Sequence, residues 1–161
     1  MASNKGKIAV VTGGASGIGL ATVEVLAQSG AAVIALDRDE EKLAELQGRD
    51  GIWPLRGDVT QAATWGRVVE LAGKELGGAP TLFVSNAAVV VVGSILELSD
   101  EDWQQVLGVN LMGSVFGARA LLPGMIKAGG GSMVLMGSLS TPLWPSRAWP
   151  PIALRRERSC N

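Results

Sequence analysis

The chain has 161 residues, a hydrophobic fraction of 47% and a formal net charge of −1 at pH 7. This length is enough for one domain with a sizeable core. The small net charge gives no electrostatic reason to expect a nucleic acid or an anionic membrane as a partner. The chain contains no histidine, which excludes Ser-His and Cys-His nucleophilic catalysis and most zinc sites. We therefore expect no metal site.

Two features bear on where the protein works. No apolar stretch reaches the ~18 residues of a membrane span, and residues 1–7 lack the apolar core of a signal peptide. The single cysteine, Cys160, excludes an internal disulfide and is typical of a reducing compartment. A cytoplasmic location is the expectation.

The first part of the chain has the pattern of a strand–helix–strand unit. Residues 8–11 are a short uncharged apolar run, typical of a parallel strand covered on both faces. A glycine-rich turn over residues 12–19 opens a helix, which Gly30 ends. Residues 31–36 form a second apolar strand, and Asp37 lies just past its end.

This unit has the features of a dinucleotide-binding turn. Gly13, Gly17 and Gly19 lack a Cβ, so the turn can bend tightly and approach a pyrophosphate, which the helix N–H groups and dipole would hold. Asp37 lies 18 positions after Gly19. That is near the roughly 20 expected for a carboxylate that accepts hydrogen bonds from an adenosine ribose and repels a 2′-phosphate. The alternative is that these glycines only form a turn.

The spacing Thr-Gly-x3-Gly-x-Gly over residues 12–19 resembles the cofactor turn of the short-chain dehydrogenase/reductase family. The resemblance implies hydride transfer between an alcohol and a ketone with NAD or NADP as cofactor. Asp37, with the non-basic Ser16 in the turn, favours NAD, whereas Arg38 leaves NADP open. The candidate cofactor-binding residues are Gly13, Ser16, Gly17, Ile18, Gly19, Asp37, Arg38, Asp58, Val59, Asn86 and Ala87.

Two segments in the middle of the chain extend this pattern. Residues 51–56 are a third strand, in which Pro54 favours an edge or irregular position. An aspartate such as Asp58 usually caps a turn or helix; the resemblance adds a contact of the Asp58-Val59 pair with the adenine ring, and both roles stay open. The fourth strand, residues 81–84, runs into Ser85-Asn86-Ala87-Ala88, where the family has Asn-Asn-Ala-Gly. The resemblance implies that Asn86 stabilises the position of the central strand.

Three further helices are predicted, over residues 39–46, 61–76 and 101–127. Ser99 and Asp102 have the spacing of a capping box before the last of them. Asn110 interrupts its apolar side. A polar contact to a neighbouring strand would explain it, and the resemblance implies instead an asparagine that holds a water of the proton relay. The residues expected on apolar helix sides are Ile18, Ala21, Val25, Leu26, Ala27, Trp65, Val68, Val69, Ala72, Trp103, Val106, Leu107, Leu111, Val115, Ala118 and Leu122.

A serine follows the fifth predicted strand, residues 133–136. Taken alone, Ser138 would cap the turn at the strand end. The resemblance implies that Ser138 hydrogen-bonds the substrate oxygen, which makes Ser138 and Asn110 the candidate catalytic residues.

Residues 142–161 depart from the family. They hold four arginines, one glutamate and four of the seven prolines, without a strand or helix period. The family's next element carries Tyr-x-x-x-Lys, in which the Tyr transfers a proton and the Lys lowers its pKa. This chain has no tyrosine and no lysine after Lys127.

Codons in a displaced frame around residues 149–156 permit a Tyr and a Lys four apart, so we interpret the tail as a frameshifted or truncated end. The rival interpretation is a genuine basic tail for an acidic partner or a lipid surface.

The sequence thus predicts a three-layer Rossmann-like α/β domain over residues 1–141, with a parallel sheet in the order 3-2-1-4-5 that is incomplete at its C-terminal edge. The expected function is NAD(P)-dependent oxidation or reduction of a small-molecule alcohol or ketone. As written, the chain is expected to be inactive because Tyr-x-x-x-Lys is missing; the alternative is a non-catalytic dinucleotide-binding module. Because the helix over residues 101–127 resembles the family's subunit interface, a family-type homo-oligomer is expected only for a full-length form. Exposed apolar surface is expected there in this chain.

Overall fold

The computed structural model describes residues 3–137. The predictions for Ser138 and for the tail over residues 142–161 therefore lie outside the described residues. The elements follow in the order β1 (Ile8–Thr12), α1 (Gly17–Gln28), β2 (Ala32–Asp37), α2 (Glu40–Ala44), β3 (Ile52–Arg56), α3 (Ala62–Glu75), β4 (Leu82–Ser85), α4 (Asp100–Leu107), a π-helical turn (Gly108–Met112), α5 (Gly113–Lys127) and β5 (Ser132–Leu135).

The five strands form one parallel sheet in the order β3-β2-β1-β4-β5. This confirms the order predicted from the sequence. Strand β3 lies at an edge, as Pro54 indicated, because a proline has no N–H to donate to a second neighbour. The chain crosses from the edge strand β3 back past β2 and β1 to β4. The carboxyl ends of β1 and β4 therefore meet at the place where the strand order reverses. Ligands bind at this position in open α/β sheets.

Apolar side chains cover the sheet on both faces, which gives three layers. On one face, Val10, Ile34 and Phe83 pack with Trp65 of α3 and Leu121 of α5. On the other face the buried cluster joins the sheet to α1 and α2, and it comprises Ala9, Val11, Ala15, Val23, Ala31, Val33, Ala35, Leu43, Leu46 and Ile52. Residues 8–11 are all buried, which explains why the first strand reads as a continuous apolar run.

The predicted apolar sides of α1 and α3 were partly wrong. In α1 the buried residues are Gly19 and Val23, one turn apart, whereas Ile18 and Val25 are 66% and 51% exposed. Gly19 lies against the turn at Gly13, and Leu20, Leu26 and Ala27 are partly buried against the same cluster as Val23. The buried side of α1 therefore excludes Ile18 and Val25. In α3, Trp65, Val68 and Ala72 are buried as predicted, but Val69 is 44% exposed.

The predicted long helix is continuous but changes its winding. A capping box of Ser99 and Asp102 begins it, as predicted. A π-helical turn then rotates the later residues relative to α4. The residues of α5 that pack on the domain recur every four positions, namely Gly113, Gly117, Leu121 and Met125.

Much of the apolar side predicted for this helix is therefore exposed. Val106 is buried, but Leu107, Leu111, Val115 and Leu122 are between 37% and 55% exposed. By length and composition the stretch Asp100–Lys127 could also cross a membrane. One such helix is weak evidence of a membrane span. Only 22% of its most apolar window is buried in the domain, where Leu121 and Met125 of α5 join the core cluster.

Candidate functional site

The turn between β1 and α1 is held in shape by its glycines. Gly13 has a φ of +64°, which favours a residue without a Cβ. A Cβ on Gly19 would lie 1.9 Å from the main-chain oxygen of Gly13, so only glycine allows the helix to start this close to the turn. Ser16 is the N-cap of α1, but its side chain makes no capping hydrogen bond. The N–H groups of the first helical turn are thus placed to receive an anion.

Asp37 organises the backbone at the end of β2. Its Oδ2 accepts a hydrogen bond from the N–H of Ala15 (3.1 Å), and its Oδ1 accepts from the N–H groups of Arg38 (2.7 Å) and Asp39 (3.1 Å). The carboxylate therefore links the glycine turn to the segment after β2. Its position at the carboxyl end of the strand is the one that the sequence predicted for a ribose-binding acid.

Asn86 and Thr12 join the carboxyl ends of β4 and β1. Thr12 is buried, and its Oγ1 accepts hydrogen bonds from the N–H groups of Asn86 (2.9 Å) and Ala87 (3.0 Å). The Asn86 side-chain amide donates to the main-chain oxygens of Thr12 (3.1 Å) and Gly13 (3.3 Å). The sequence identified Asn86 but gave no role to Thr12. The sequence feature that could have indicated a role for Thr12 is its position as the first residue of the Thr-Gly-x3-Gly-x-Gly motif.

Asp58 makes the capping contacts expected from its position. Its Oδ1 accepts from both the N–H and the hydroxyl of Thr60, each at 2.8 Å. The next residue, Val59, is buried and accepts a hydrogen bond from the indole N–H of Trp65 (2.9 Å). These hydrogen bonds hold the Asp58-Val59 pair at the carboxyl ends of the strands, where both residues line the cavity. A contact with an adenine ring stays a prediction.

Asn110 lies in the π-helical turn and pairs with the backbone after β4. Its Oδ1 accepts from the N–H of Val89 (2.8 Å), and its Nδ2 donates to the oxygen of the same residue (3.0 Å). This is the polar contact that the sequence offered as one explanation of Asn110. One turn later, the hydroxyl of Ser114 lies 2.8 Å from that of Ser85, the residue that replaces the family's first asparagine.

A cavity of about 350 Å³ lies at the carboxyl ends of the strands and collects most of the predicted cofactor residues. Gly17, Ile18 and Gly19 are not among its lining residues, and neither is Asn110, although its neighbour Val109 is. Asp39 and Lys42 line the cavity but were not predicted, because on the sequence they belong to an ordinary charged helix. The lining residues are Gly13, Ser16, Leu36, Asp37, Arg38, Asp39, Lys42, Gly57, Asp58, Val59, Asn86, Ala87, Ala88, Val89 and Val109.

The residues around this cavity fit a dinucleotide. The glycine cradle at Gly13 and Gly19 would be filled by any Cβ, Asp37 lies at the end of β2, and small residues occupy the approach after β4. No cluster of metal-ligating side chains occurs among residues 3–137. Fold and site together define a Rossmann-like nucleotide-binding domain.

Comparisons with known proteins identify the family. The family model described as short chain dehydrogenase matches residues 7–149, which extends beyond Thr141, where the motif-by-motif resemblance ended. A 2,5-dichloro-2,5-cyclohexadiene-1,4-diol dehydrogenase of Sphingobium indicum is 36% identical over 140 residues, covering 83% of this chain and 55% of the relative. An NADP-dependent (R)-specific alcohol dehydrogenase of Lentilactobacillus kefiri is 34% identical, covering 84% and 55%.

Among solved structures, the apo form of LigO from Sphingobium sp. strain SYK-6 superposes with a TM-score of 0.81 at 31% identity. The match covers 88% of this chain and 54% of that one. The chain belongs to the short-chain dehydrogenase family. It spans about half the length of the curated relatives it matches.

Proposed function

We propose that this chain binds a nicotinamide dinucleotide, NAD in preference to NADP, and belongs to an oxidoreductase that interconverts an alcohol and a ketone. The observation that carries the proposal is the cavity at the strand-order reversal, which combines the glycine cradle with Asp37. The relatives named as dehydrogenases support the reaction class. A small-molecule alcohol or ketone is the corresponding substrate class.

Each part of the cavity has a role in this proposal. The N-terminal turn of α1 receives the pyrophosphate through its N–H groups. Asp37 accepts hydrogen bonds from the adenosine ribose, and its negative charge disfavours a 2′-phosphate. Asp58 and Val59 flank the adenine. A bound nicotinamide would supply the hydride acceptor or donor. Two further residues complete the proposal: Asn110, which is not among the lining residues of the cavity, would order a water of the proton relay, and Ser138, which lies outside the described residues, would bind the substrate oxygen.

The 161-residue chain lacks the tyrosine that moves the proton in the family's Tyr-x-x-x-Lys motif. It contains no tyrosine and no histidine, so the family's Tyr-x-x-x-Lys pair is not there to exchange a proton with the substrate oxygen. We therefore propose that the 161-residue chain binds cofactor without appreciable turnover. The same absence favours a second candidate, a dinucleotide-binding module with no catalytic role.

A titration and an assay on the same preparation test the first part. Isothermal calorimetry with NAD and NADP should show binding, with the smaller Kd for NAD. Absorbance at the reduced-nicotinamide band, with a panel of secondary alcohols, should show no turnover. Failure of both dinucleotides to bind would refute the proposal, and robust turnover would refute the assignment of inactivity.

Resequencing the coding DNA from codon 130 to well beyond codon 161 separates the two candidates. A one-base slip that restores Tyr-x-x-x-Lys in a continuing frame would support the dehydrogenase and the frameshifted tail. A confirmed frame with no such alternative beside it would support the binding module.

A further inference from the structure

Helix α2 places an ion pair on the wall of the candidate cofactor cavity. Asp39 is the N-cap of α2, and its Oδ1 accepts a hydrogen bond from the N–H of Lys42 (3.2 Å). The second carboxylate oxygen, Oδ2, contacts the Nζ of the same lysine at 2.5 Å. Both residues line the cavity, beside Asp37 and Arg38. The pair therefore borders the region where the ribose-binding acid lies.

The carboxylates around Lys42 raise the pKa of its ammonium group. The hydrogen bond and the charge of Asp39 raise the pKa of Lys42, and the charges of Asp37 and Glu45 add to this. The side chains of Lys42 and Asp39 are 53% and 34% exposed, so the pair lies at the solvent side of the cavity and can rearrange. Lysine has a flexible four-carbon stem, which lets its ammonium exchange one anionic partner for another.

We propose that the Asp39–Lys42 ion pair is a cofactor-specificity device, which keeps the Lys42 ammonium from pairing with the 2′-phosphate of NADP. The inference rests on the proposed function, because it concerns the same cavity. Asp37 disfavours the 2′-phosphate by its negative charge. Asp39 contributes because it pairs with the Lys42 ammonium, which would otherwise neutralise the charge of the 2′-phosphate. Releasing Lys42 shifts the site toward NADP, whereas removing Lys42 shifts it further toward NAD.

The substitution Asp39→Asn separates the ion pair from the helix cap. Asparagine is as good an N-cap as aspartate, so α2 keeps the hydrogen bond to the N–H of Lys42 while the ammonium loses its charged partner. Lys42→Met removes the ammonium but keeps an unbranched chain of similar length. The double variant shows whether the effect of Asp39→Asn passes through Lys42 or only reflects one less negative charge.

The experiment measures Kd for NAD and for NADP with the full 161-residue chain and with the two single variants and the double variant. Asp39→Asn should lower the Kd for NADP about three- to fivefold, the range of an exposed ion pair. The Kd for NAD should change less than the Kd for NADP, because NAD carries no 2′-phosphate for the released ammonium to meet. Lys42→Met should raise the Kd for NADP, and in the double variant the gain from Asp39→Asn should disappear. High salt should reduce the gain, since it screens exposed charges.

A matched pair on α3 is the control. Glu70 and Lys74 form an i,i+4 ion pair of the same kind, with both side chains exposed and outside the cavity. Glu70→Gln and Lys74→Met should leave both Kd values unchanged. An equal gain in NADP affinity with and without Lys42 would overturn the inference while leaving the proposed function intact. If neither dinucleotide binds the unsubstituted chain, the proposed function fails and the inference fails with it.

Discussion

The side-chain amide of Asn86 lies 3.1 Å from the main-chain oxygen of Thr12, and the hydroxyl of Thr12 accepts the Asn86 N–H at 2.9 Å. The two residues are 74 positions apart in the chain. Their reciprocal contacts fix the carboxyl ends of β1 and β4 relative to each other, at the edge of the cofactor cavity. The geometry of the glycine turn therefore depends on a residue from another strand.

Replacing Asn86 with Ala should destabilise the fold and weaken dinucleotide binding together. The oxygens of Thr12 and Gly13 would lose their side-chain donor, at a cost of about 1–3 kcal/mol in the free energy of unfolding. Urea denaturation and NAD titration measure the two effects. Asn4→Ala is the control, because Asn4 bonds the hydroxyl of Ser29 at 2.8 Å, outside the residues that line the cavity. An Asn86→Ala variant with unchanged Kd would contradict a role in shaping the turn.

Gly19→Ala should damage the cofactor turn. The added methyl would meet the oxygen of Gly13 at 1.9 Å and the amide of Asn86 at 2.6 Å, so the turn must move. We expect a loss of about 1–3 kcal/mol in stability and a Kd for NAD at least about tenfold higher, the equivalent of 1.4 kcal/mol. Gly66→Ala is the matched control in α3, because nothing lies within 4 Å of its Cβ position. That variant should be neutral or stabilised by up to about 1 kcal/mol.

Gly117→Ala should lower stability without changing cofactor affinity. A Cβ there would lie 2.5 Å from Trp65 and 2.6 Å from Phe83, whose rings pack edge to face at 5.7 Å. Pushing α5 away from this pair should cost about 1–3 kcal/mol. Thermal unfolding should show the loss, whereas the NAD titration should match that of the unsubstituted chain. A large change in Kd would mean that α5 is coupled to the cavity more tightly than these contacts indicate.

Low pH should remove the contribution of the capping box at α4 to the free energy of unfolding. The side chain and N–H of Ser99 donate to Asp102 at 2.8 and 2.9 Å and hold the pKa of that carboxyl below its usual value of 3.8. Because the pKa of Asp102 is lower in the folded than in the unfolded state, its ionised carboxylate stabilises the folded protein at pH values above the usual pKa. This contribution is lost as the pH falls through the lowered pKa. The stability difference between the unsubstituted chain and Asp102→Asn should therefore shrink at low pH. Ser99→Ala should weaken this pH dependence, because only the N–H of residue 99 would still donate to Asp102. A difference that persists at the lowest pH would contradict this origin.

The exposed apolar surface of the long helix should drive self-association. Leu111, Leu122 and Ile126 are 55%, 47% and 69% exposed along it, and contiguous apolar surface of this kind favours association. Leu111→Lys together with Ile126→Lys should reduce the apparent mass in sedimentation velocity. Gln104→Lys adds a charge at an exposed polar position of the same helix and should have no effect. A monomeric unsubstituted chain at micromolar concentration would contradict the expectation.

The sequence by itself determined the strands and the glycine turn, because these depend on local signals. The strand order was predicted from the fold that this pattern and the family resemblance imply. Residues 8–11 and 31–36 are uninterrupted apolar runs, and Pro54 favours an edge or irregular position. Ser99 and Asp102 have the spacing of a capping box wherever their helix packs. Asp37 was identified by its place at the end of the second apolar run, and Asn86 by the resemblance of residues 85–88 to the family's Asn-Asn-Ala-Gly motif.

Only the tertiary structure decided which side of each helix is buried and which charged residues reach the cavity. Helical periodicity shows that residues share a side, but not how closely a neighbour can approach, and here the approach occurs at Gly19, Gly113 and Gly117. Large apolar residues beside those glycines were consequently assigned to the core and are exposed. The position of Lys42 follows from how α2 packs against the sheet, which places an unremarkable helix charge next to Asp37. Contacts of this kind join residues through packing, and no spacing in the sequence encodes them.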